Sequence, residues 1–281
     1  MEEVDEQFIS VYRNERNYKY LLYTRGNPLT PQIIIHGVVK SLTNSHFKKN
    51  NEIVFLVHGW FGNADNEMNR MLTNAFLRKK ELNIIVVDWS ELATRNYLTA
   101  KRGVVTIGLQ LGLFMSWLNY EFGISYEQIH LVGFSLGAHL VGNAGRASGG
   151  LVKRITGLDP AGPLWKRDNN RLNKNDARYV EVIHTNTALY GYSEPCGDAD
   201  FYPNGGTSMP GCWFNVCSHS KGYEYMAASV LFNHLVAREC PSLKDVEQNN
   251  CFGQFYPMGN SHMSKSRSGL FRVNTGNDFP F

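Results

Sequence analysis

Residues 129–142 read IHLVGFSLGAHLVG. The run Ile129-His130-Leu131-Val132 has the length and β-branched character of a short buried strand. Leu136 to Gly142 is dense in small and apolar residues, as a helix packed closely on a sheet requires. A chain that passes from strand to helix within a few residues must adopt strained backbone angles, and glycines at 133 and 137 provide the room. The Ser135 hydroxyl then stands on a sharp corner above the sheet edge, with a helix N-terminus beneath it. This is the G-x-S-x-G elbow of a nucleophilic serine, with Phe134 and Leu136 at the variable positions. The pentapeptide alone also fits an ordinary Gly-Ser turn, so the surrounding chain has to decide.

Outward from the elbow, apolar β-branched runs recur at Ile33–Ile35, Ile53–Val57, Ile84–Val87, Ile155–Leu158 and Val180–Ile183. Helix-length segments lie between several of them. One is Asn66 to Lys80. Another is about Asn96 to Phe122, where Val104, Gly108, Leu111, Met115 and Leu118 fall at helical spacing. Strand alternating with helix predicts an α/β fold with a mainly parallel sheet. The last residues, GLFRVNTGNDFPF, read as a strand and tail. With no internal repeat or linker, one domain over 1–281 is the economical expectation.

The 281 residues are 43% hydrophobic and 19% charged, enough for a large core and against disorder. A net charge of +3 with scattered Lys and Arg gives no nucleic-acid signature. The longest apolar stretch, Gly103 to Leu118, is interrupted by Thr106, Gln110 and Ser116 and is too short to cross a bilayer. The N-terminus, MEEVDEQFIS, is acidic and has no apolar signal region. All five cysteines, at 196, 212, 217, 240 and 251, crowd the last third in Gly- and Pro-rich sequence. That clustering predicts local disulfide staples and an oxidising, extracellular setting.

A serine nucleophile needs a base and an orienting acid, which on this architecture follow it in the order Ser, Asp/Glu, His. Asp159, in GLDPAGP, closes the next strand in a rigid Pro/Gly turn at the edge that carries the elbow; the alternative is an Asx turn. Asp88 also ends a strand but precedes the serine and reads as structural. Among later histidines, His234 sits in a helical run from Tyr223 to Val236 and His262 in a polar tail. His184, at a strand end, competes with His219, which reads as a loop residue tethered near Cys217. Spacing favours His219 and leaves His184 open. Oxyanion donors are expected from the Leu136 amide and from an early strand–loop. Of two His-Gly pairs, His36-Gly37 runs on into apolar Val38-Val39 as a continuing strand. His58-Gly59 opens into a turn-rich loop, making the Trp60 amide the second donor.

With these residues assembled, the chain resembles the pancreatic lipase family of secreted serine lipases and phospholipases. The matching stretches are FLVHGW (55–60), VDW (87–89), VGFSLGAH (132–139), GLDPAGP (157–163), VIHT (182–185), DFYPNGG (200–206), MPGC (209–212) and CSH (217–219), in the family's order. The resemblance implies an α/β-hydrolase fold, a mainly parallel sheet flanked by helices. It also implies nucleophile Ser135, acid Asp159, base His219, and Trp60 and Leu136 as oxyanion donors. It pairs Cys212 with Cys217 and Cys240 with Cys251, leaving Cys196 as a free thiol or a link to another chain.

The departures from the family pattern refine the expected activity. Triacylglycerol lipases of the family carry a long disulfide-closed lid. Here only four residues, Trp213 to Val216, separate the two cysteines, and the neighbouring loop, 186–199, is short too. The resemblance then implies the phospholipase A1 type, as in insects: hydrolysis of the sn-1 acyl ester of a glycerophospholipid. A triacylglycerol or galactolipid lipase with the same triad is the nearest alternative. A non-catalytic lipid-binding or storage protein is the other, though such relatives usually lose a triad residue. Trp213 and Phe214 are expected to enter a lipid surface, the alternative being inward packing. The family's calcium site appears in weakened form as Asp168, the Arg171 main chain, Asn173 and Asp176, one carboxylate having become an amide; no cofactor is expected, with calcium as the alternative. Where the family usually has a histidine this chain has Asp198. No C-terminal β-sandwich is expected, nor a colipase-type partner recruited through one.

Overall fold

A computed structural model describes residues 18–281, so the acidic stretch at the N-terminus lies outside the described residues. The first strands are β1 (Lys19–Tyr23), β2 (Gln32–Ile34), β3 (Ile53–Val57) and β4 (Asn83–Asp88). They are interleaved with helices α1 (Val39–Thr43) and α2 (Glu67–Lys79). The short α3 (Ser90–Ala93) and long α4 (Tyr97–Phe122) lead to β5 (Ile129–Phe134), α5 (Leu136–Ala147), β6 (Arg154–Leu158), β7 (Val180–Ile183) and β8 (Ala199–Phe201). The chain finishes with α6 (Asn215–Phe232), β9 (Val236–Cys240), α7 (Leu243–Gln248), β10 (Phe255–Pro257) and β11 (Gly269–Arg272).

Among the described residues all strands join one eleven-stranded sheet in the order β10-β9-β11-β8-β7-β6-β5-β3-β4-β1-β2. From β4 through β3, β5, β6, β7 and β8 to β11 every neighbouring pair is parallel; the four flanking strands are antiparallel. The central strands are buried on both faces and therefore read as continuous apolar runs rather than alternating ones. One face packs under α4 and α5, the other under α2 and α6. This is the mainly parallel α/β-hydrolase architecture.

The helix boundaries follow their caps. Asn66 and Asn96 each accept a backbone N–H at the third helical residue of α2 and α4. Gly123 ends α4 in the left-handed conformation. Two readings need correction. Gly37 adopts positive φ and α1 begins at Val39, so His36-Gly37 is a turn and not a strand running through. The run from Tyr223 breaks at Phe232, where Asn233 caps α6 with φ 51°; His234 lies beyond it, exposed, against the Pro280 carbonyl.

Candidate active site

The elbow is built by close approach. Ser135 sits at φ 56°, ψ −120°, between β5 and α5. A Cβ on Gly133 would lie 2.2 Å from the Gly137 carbonyl oxygen, and one on Gly137 2.2 Å from the Val57 carbonyl oxygen. Both positions therefore exclude a side chain. The Ser135 N–H donates to the Leu158 carbonyl at 3.0 Å, and its own carbonyl accepts from Ala161 N–H at 3.2 Å. The strained turn is thus bolted to β6 and the loop after it, which is how a positive φ survives at a non-glycine residue.

Asp159 follows β6 directly, fully buried and itself at φ 40°. One carboxylate oxygen accepts the Thr185 N–H at 2.7 Å and the Asn186 N–H at 3.0 Å. The other lies 2.5 Å from His219 Nδ1. His219 is almost wholly buried, its ring 4.5 Å from Phe134 and 5.6 Å from Tyr190, centroid to centroid. It is a helix residue, not the loop residue predicted: α6 starts at Asn215, immediately inside the Cys212–Cys217 disulfide. With Phe134 preceding Ser135 and touching His219, the serine turn, the acid and the imidazole share the C-terminal edge of the sheet.

His184, the competing histidine, belongs to a separate pair. Its Nε2 meets Asp200 at 2.9 Å and its Nδ1 donates to the Tyr192 carbonyl at 2.8 Å, with Tyr202 stacked on the ring. Asp88 pairs with His58, 3.4 Å away. Burial pushes the Asp88 carboxyl up, but hydrogen bonds from His58 and Ser90 outweigh it and leave the group below its ordinary value. The Trp89 N–H lies 3.2 Å from the same His58 Nε2 that faces Asp88, and the Trp89 indole donates to the His58 carbonyl, so this loop is locked from behind. Its front approaches the elbow closely enough that a Cβ on Gly59 would come within 2.8 Å of Ser135 Cβ. Trp60 follows, half-exposed, its indole donating to the Arg95 carbonyl. Leu136 is the first residue of α5, where helix geometry leaves the N–H without an intrahelical acceptor.

Trp213 and Phe214 do not pack inward: they are 93% and 77% exposed at the tip of the short disulfide loop. Cys240 and Cys251 form the second disulfide. Cys196 is free and buried, and burial pushes its thiol well up. Asp198 accepts the first N–H of β7 at 2.8 Å.

The calcium candidates are brought together but are already occupied by side-chain cations. Both oxygens of Asp176 take the Arg146 guanidinium, which also donates to the Arg171 carbonyl. Burial raises the Asp176 carboxyl to about 6, with Arg146 opposing. Asp168 pairs with Lys101, and the Asn173 side chain accepts from Asn175 N–H. Among the described residues no three His, Cys, Asp or Glu groups are placed to hold a metal. This donor set does not fit a divalent cation, because its carboxylates are neutralised from within.

The sequence reading missed Thr185 and Asn186, whose amides hold Asp159. Their signal was the position directly after a buried strand that ends beside the acid's own strand.

A model of the lipase family matches residues 3–276. The chain is 34% identical over 262 residues to pancreatic lipase-related protein 2 of Rattus norvegicus, covering 83% of this chain and 56% of that protein. It is 32% identical to pancreatic triacylglycerol lipase of Homo sapiens, covering 84% and 57%. The chain thus spans little more than half the length of these relatives. A solved α/β-hydrolase from a Medee basin deep-sea metagenome library overlaps 61% of this chain and 66% of its own, at 13% identity and a TM-score of 0.35. Matched along nearly its whole length, the chain belongs to the lipase family.

Proposed function

We propose that the protein hydrolyses carboxylic esters of lipids with Ser135 as nucleophile, His219 as base and Asp159 as orienting acid. The observation that carries this is the 2.5 Å contact of His219 Nδ1 with buried Asp159, beside the strained Ser135 turn. Nδ1–H donates to the carboxylate, so the lone pair is on Nε2, free to take the serine proton as the hydroxyl attacks the ester carbonyl. The tetrahedral oxyanion is received by the Trp60 and Leu136 amides, each worth about 3 kcal/mol in comparable sites. His219 then protonates the leaving alcohol, and water activated by the same imidazole releases the fatty acid.

The substrate we infer is a glycerophospholipid cut at sn-1, at a membrane or lipoprotein surface outside the cell. Two disulfides support the extracellular setting. Large apolar side chains exposed near the candidate dyad support the lipid surface: Phe61, Leu164, Leu189, Trp213, Phe214 and Val216. The four-residue lid supports the phospholipid, since it leaves room for a polar headgroup and supplies no wide apolar wall for three acyl chains. We infer no requirement for calcium, because Arg146 and Lys101 fill the role of the cation. A triacylglycerol lipase with the same triad is the second reading, favoured by the name of the human relative.

The test is fatty-acid release from a phosphatidylcholine with different sn-1 and sn-2 chains, beside a triacylglycerol emulsion, with and without EDTA. Release of the sn-1 chain alone, insensitive to EDTA, is expected. Preference for the emulsion would replace the first reading with the second, and an undiminished rate in Ser135→Ala would overturn both.

A further inference from the structure

Thr185 and Asn186 do more than lend two amides to Asp159. Both residues are fully buried, and their side chains reach α6. The Thr185 hydroxyl donates to the His219 carbonyl at 3.3 Å. The Asn186 side-chain nitrogen donates to Asn215 Oδ1 at 2.9 Å and to the Thr207 carbonyl at 3.3 Å. Asn215 is the first residue of α6 and shares a helix face with His219, about one turn further on. One dipeptide therefore holds the acid through its main chain and the helix of the base through its side chains.

Asn186 also shapes the loop that covers the pair. Its Oδ1 accepts the Tyr190 N–H at 3.0 Å, and its carbonyl accepts the Gly191 N–H at 2.8 Å. Closed in this way, the loop lies hard against the acid: a Cβ on Gly191 would come within 2.4 Å of Asp159 Oδ1. The same loop brings the Tyr190 ring to 5.6 Å from that of His219. The partners of Asn186 explain the residue type. A backbone N–H on one side needs an acceptor and a carbonyl on the other needs a donor, a requirement that a carboxamide meets. Leucine would fill the space and satisfy neither. Aspartate would turn a lone pair on the Thr207 carbonyl and add a second buried charge near Asp159.

We propose that Asn186 is a positioning residue for the ester hydrolysis. Its side chain ties α6 and the 186–191 loop to the acid, and so sets the His219–Asp159 contact and keeps water from it. It acts through the two groups it holds rather than on the substrate. The assignment rests on Asp159 and His219 as the working pair, and not on the choice between phospholipid and triacylglycerol.

The exposed end of the tie gives the first test, because Asn215 faces solvent and its loss leaves the core intact. Asn215→Ala removes the acceptor that Asn186 holds on α6, whereas Asn215→Asp keeps an oxygen there. On a soluble short-chain ester, Asn215→Ala should lower kcat about tenfold with KM within about twofold. Asn215→Asp should return kcat to within about threefold of the native value. Asn186→Ala should lower kcat about a hundredfold, and adding Asn215→Ala to it should cost less than about twofold more, because the two side chains form one tie. A second readout needs no turnover. The His219 Nδ1 proton, donated to Asp159, gives a downfield line in the proton spectrum, identified by its loss in His219→Gln. That line should move upfield or broaden in both alanine variants and return in Asn215→Asp. An unmoved line, a kcat within about twofold of native in both alanine variants, losses that multiply in the double variant, or an Asn215→Asp that behaves as the alanine would each overturn the positioning role. Should Ser135→Ala keep the full rate, the triad reading falls, and the line still decides whether Asn186 sets the pair.

Discussion

His219 and His184 each face an aspartate at the same edge of the sheet, and both pairs are buried. They differ in what the ring has left over. Both nitrogens of His184 are taken, by Asp200 and the Tyr192 carbonyl, and Tyr202 covers its face. His219 commits Nδ1 alone and stands beside a strained serine turn. A His–Asp contact is therefore not in itself a base. The discriminating feature is a second nitrogen with nothing to hold. The closed pair has its own use: Asp200 collects the Cys196 and Gly197 amides, and His184 precedes the Thr185 and Asn186 amides that grip Asp159. One pair supports the backbone that orients the other.

Substitution separates the two pairs, and the largest effect is expected at His219. His219→Gln should lower kcat on a soluble ester by about 10⁴-fold with the fold intact, since removing one triad member leaves only the oxyanion donors and binding. A loss under tenfold would remove His219 as the base. His184→Gln should instead read out in stability. It strands the Asp200 carboxylate in a buried site, costing about 2–4 kcal/mol in urea unfolding, while kcat stays within about tenfold. A kcat loss matching that of His219→Gln, without loss of stability, would exchange the roles of the two histidines.

A third buried histidine sharpens the contrast, because it has both nitrogens occupied and no acid against it. His139 Nε2–H donates to the Ala161 carbonyl, Nδ1 accepts the Leu172 N–H, and Trp165 stacks on the ring. Burial lowers its pKa to about 3. The folded value lies below that of the unfolded chain, so the unfolded state takes up the proton first as pH falls. Stability from this group is complete above about pH 6.5 and declines toward pH 3 at about 1.4 kcal/mol per unit. His130, buried against Thr156, is lowered in the same direction and adds to the slope. In urea unfolding between pH 7 and 4, His139→Gln should remove about one proton's worth of that slope; an unchanged slope would place the acid sensitivity elsewhere.

Much of the fold was legible because parallel strands buried on both faces leave unbroken apolar runs. All six predicted apolar runs align with strands within two residues at either end, and the strand read in the last residues is β11. Three-residue strands such as β8 and β10 leave no periodicity to read, and the helical run read from Tyr223 was carried on to Val236, the first residue of β9. Asp159 was legible as a residue at a strand end in a rigid turn. His219 was identified with the wrong local structure, since a disulfide of five-residue separation can feed a helix as readily as a loop.

The sequence by itself determined the elbow, because Ser135 and its glycines are neighbours and their sterics are local. The disulfide-closed tip between Cys212 and Cys217 was implied by the family resemblance, the clustering of the cysteines alone pointing only to local staples. Only the tertiary structure decided which histidine has a free nitrogen, that Trp213 and Phe214 face outward, and that Arg146 and Lys101 pair with Asp176 and Asp168. Each of these depends on which atoms from distant segments meet at one point. Such meetings are set by sheet order and helix packing, and no local stretch of chain encodes them.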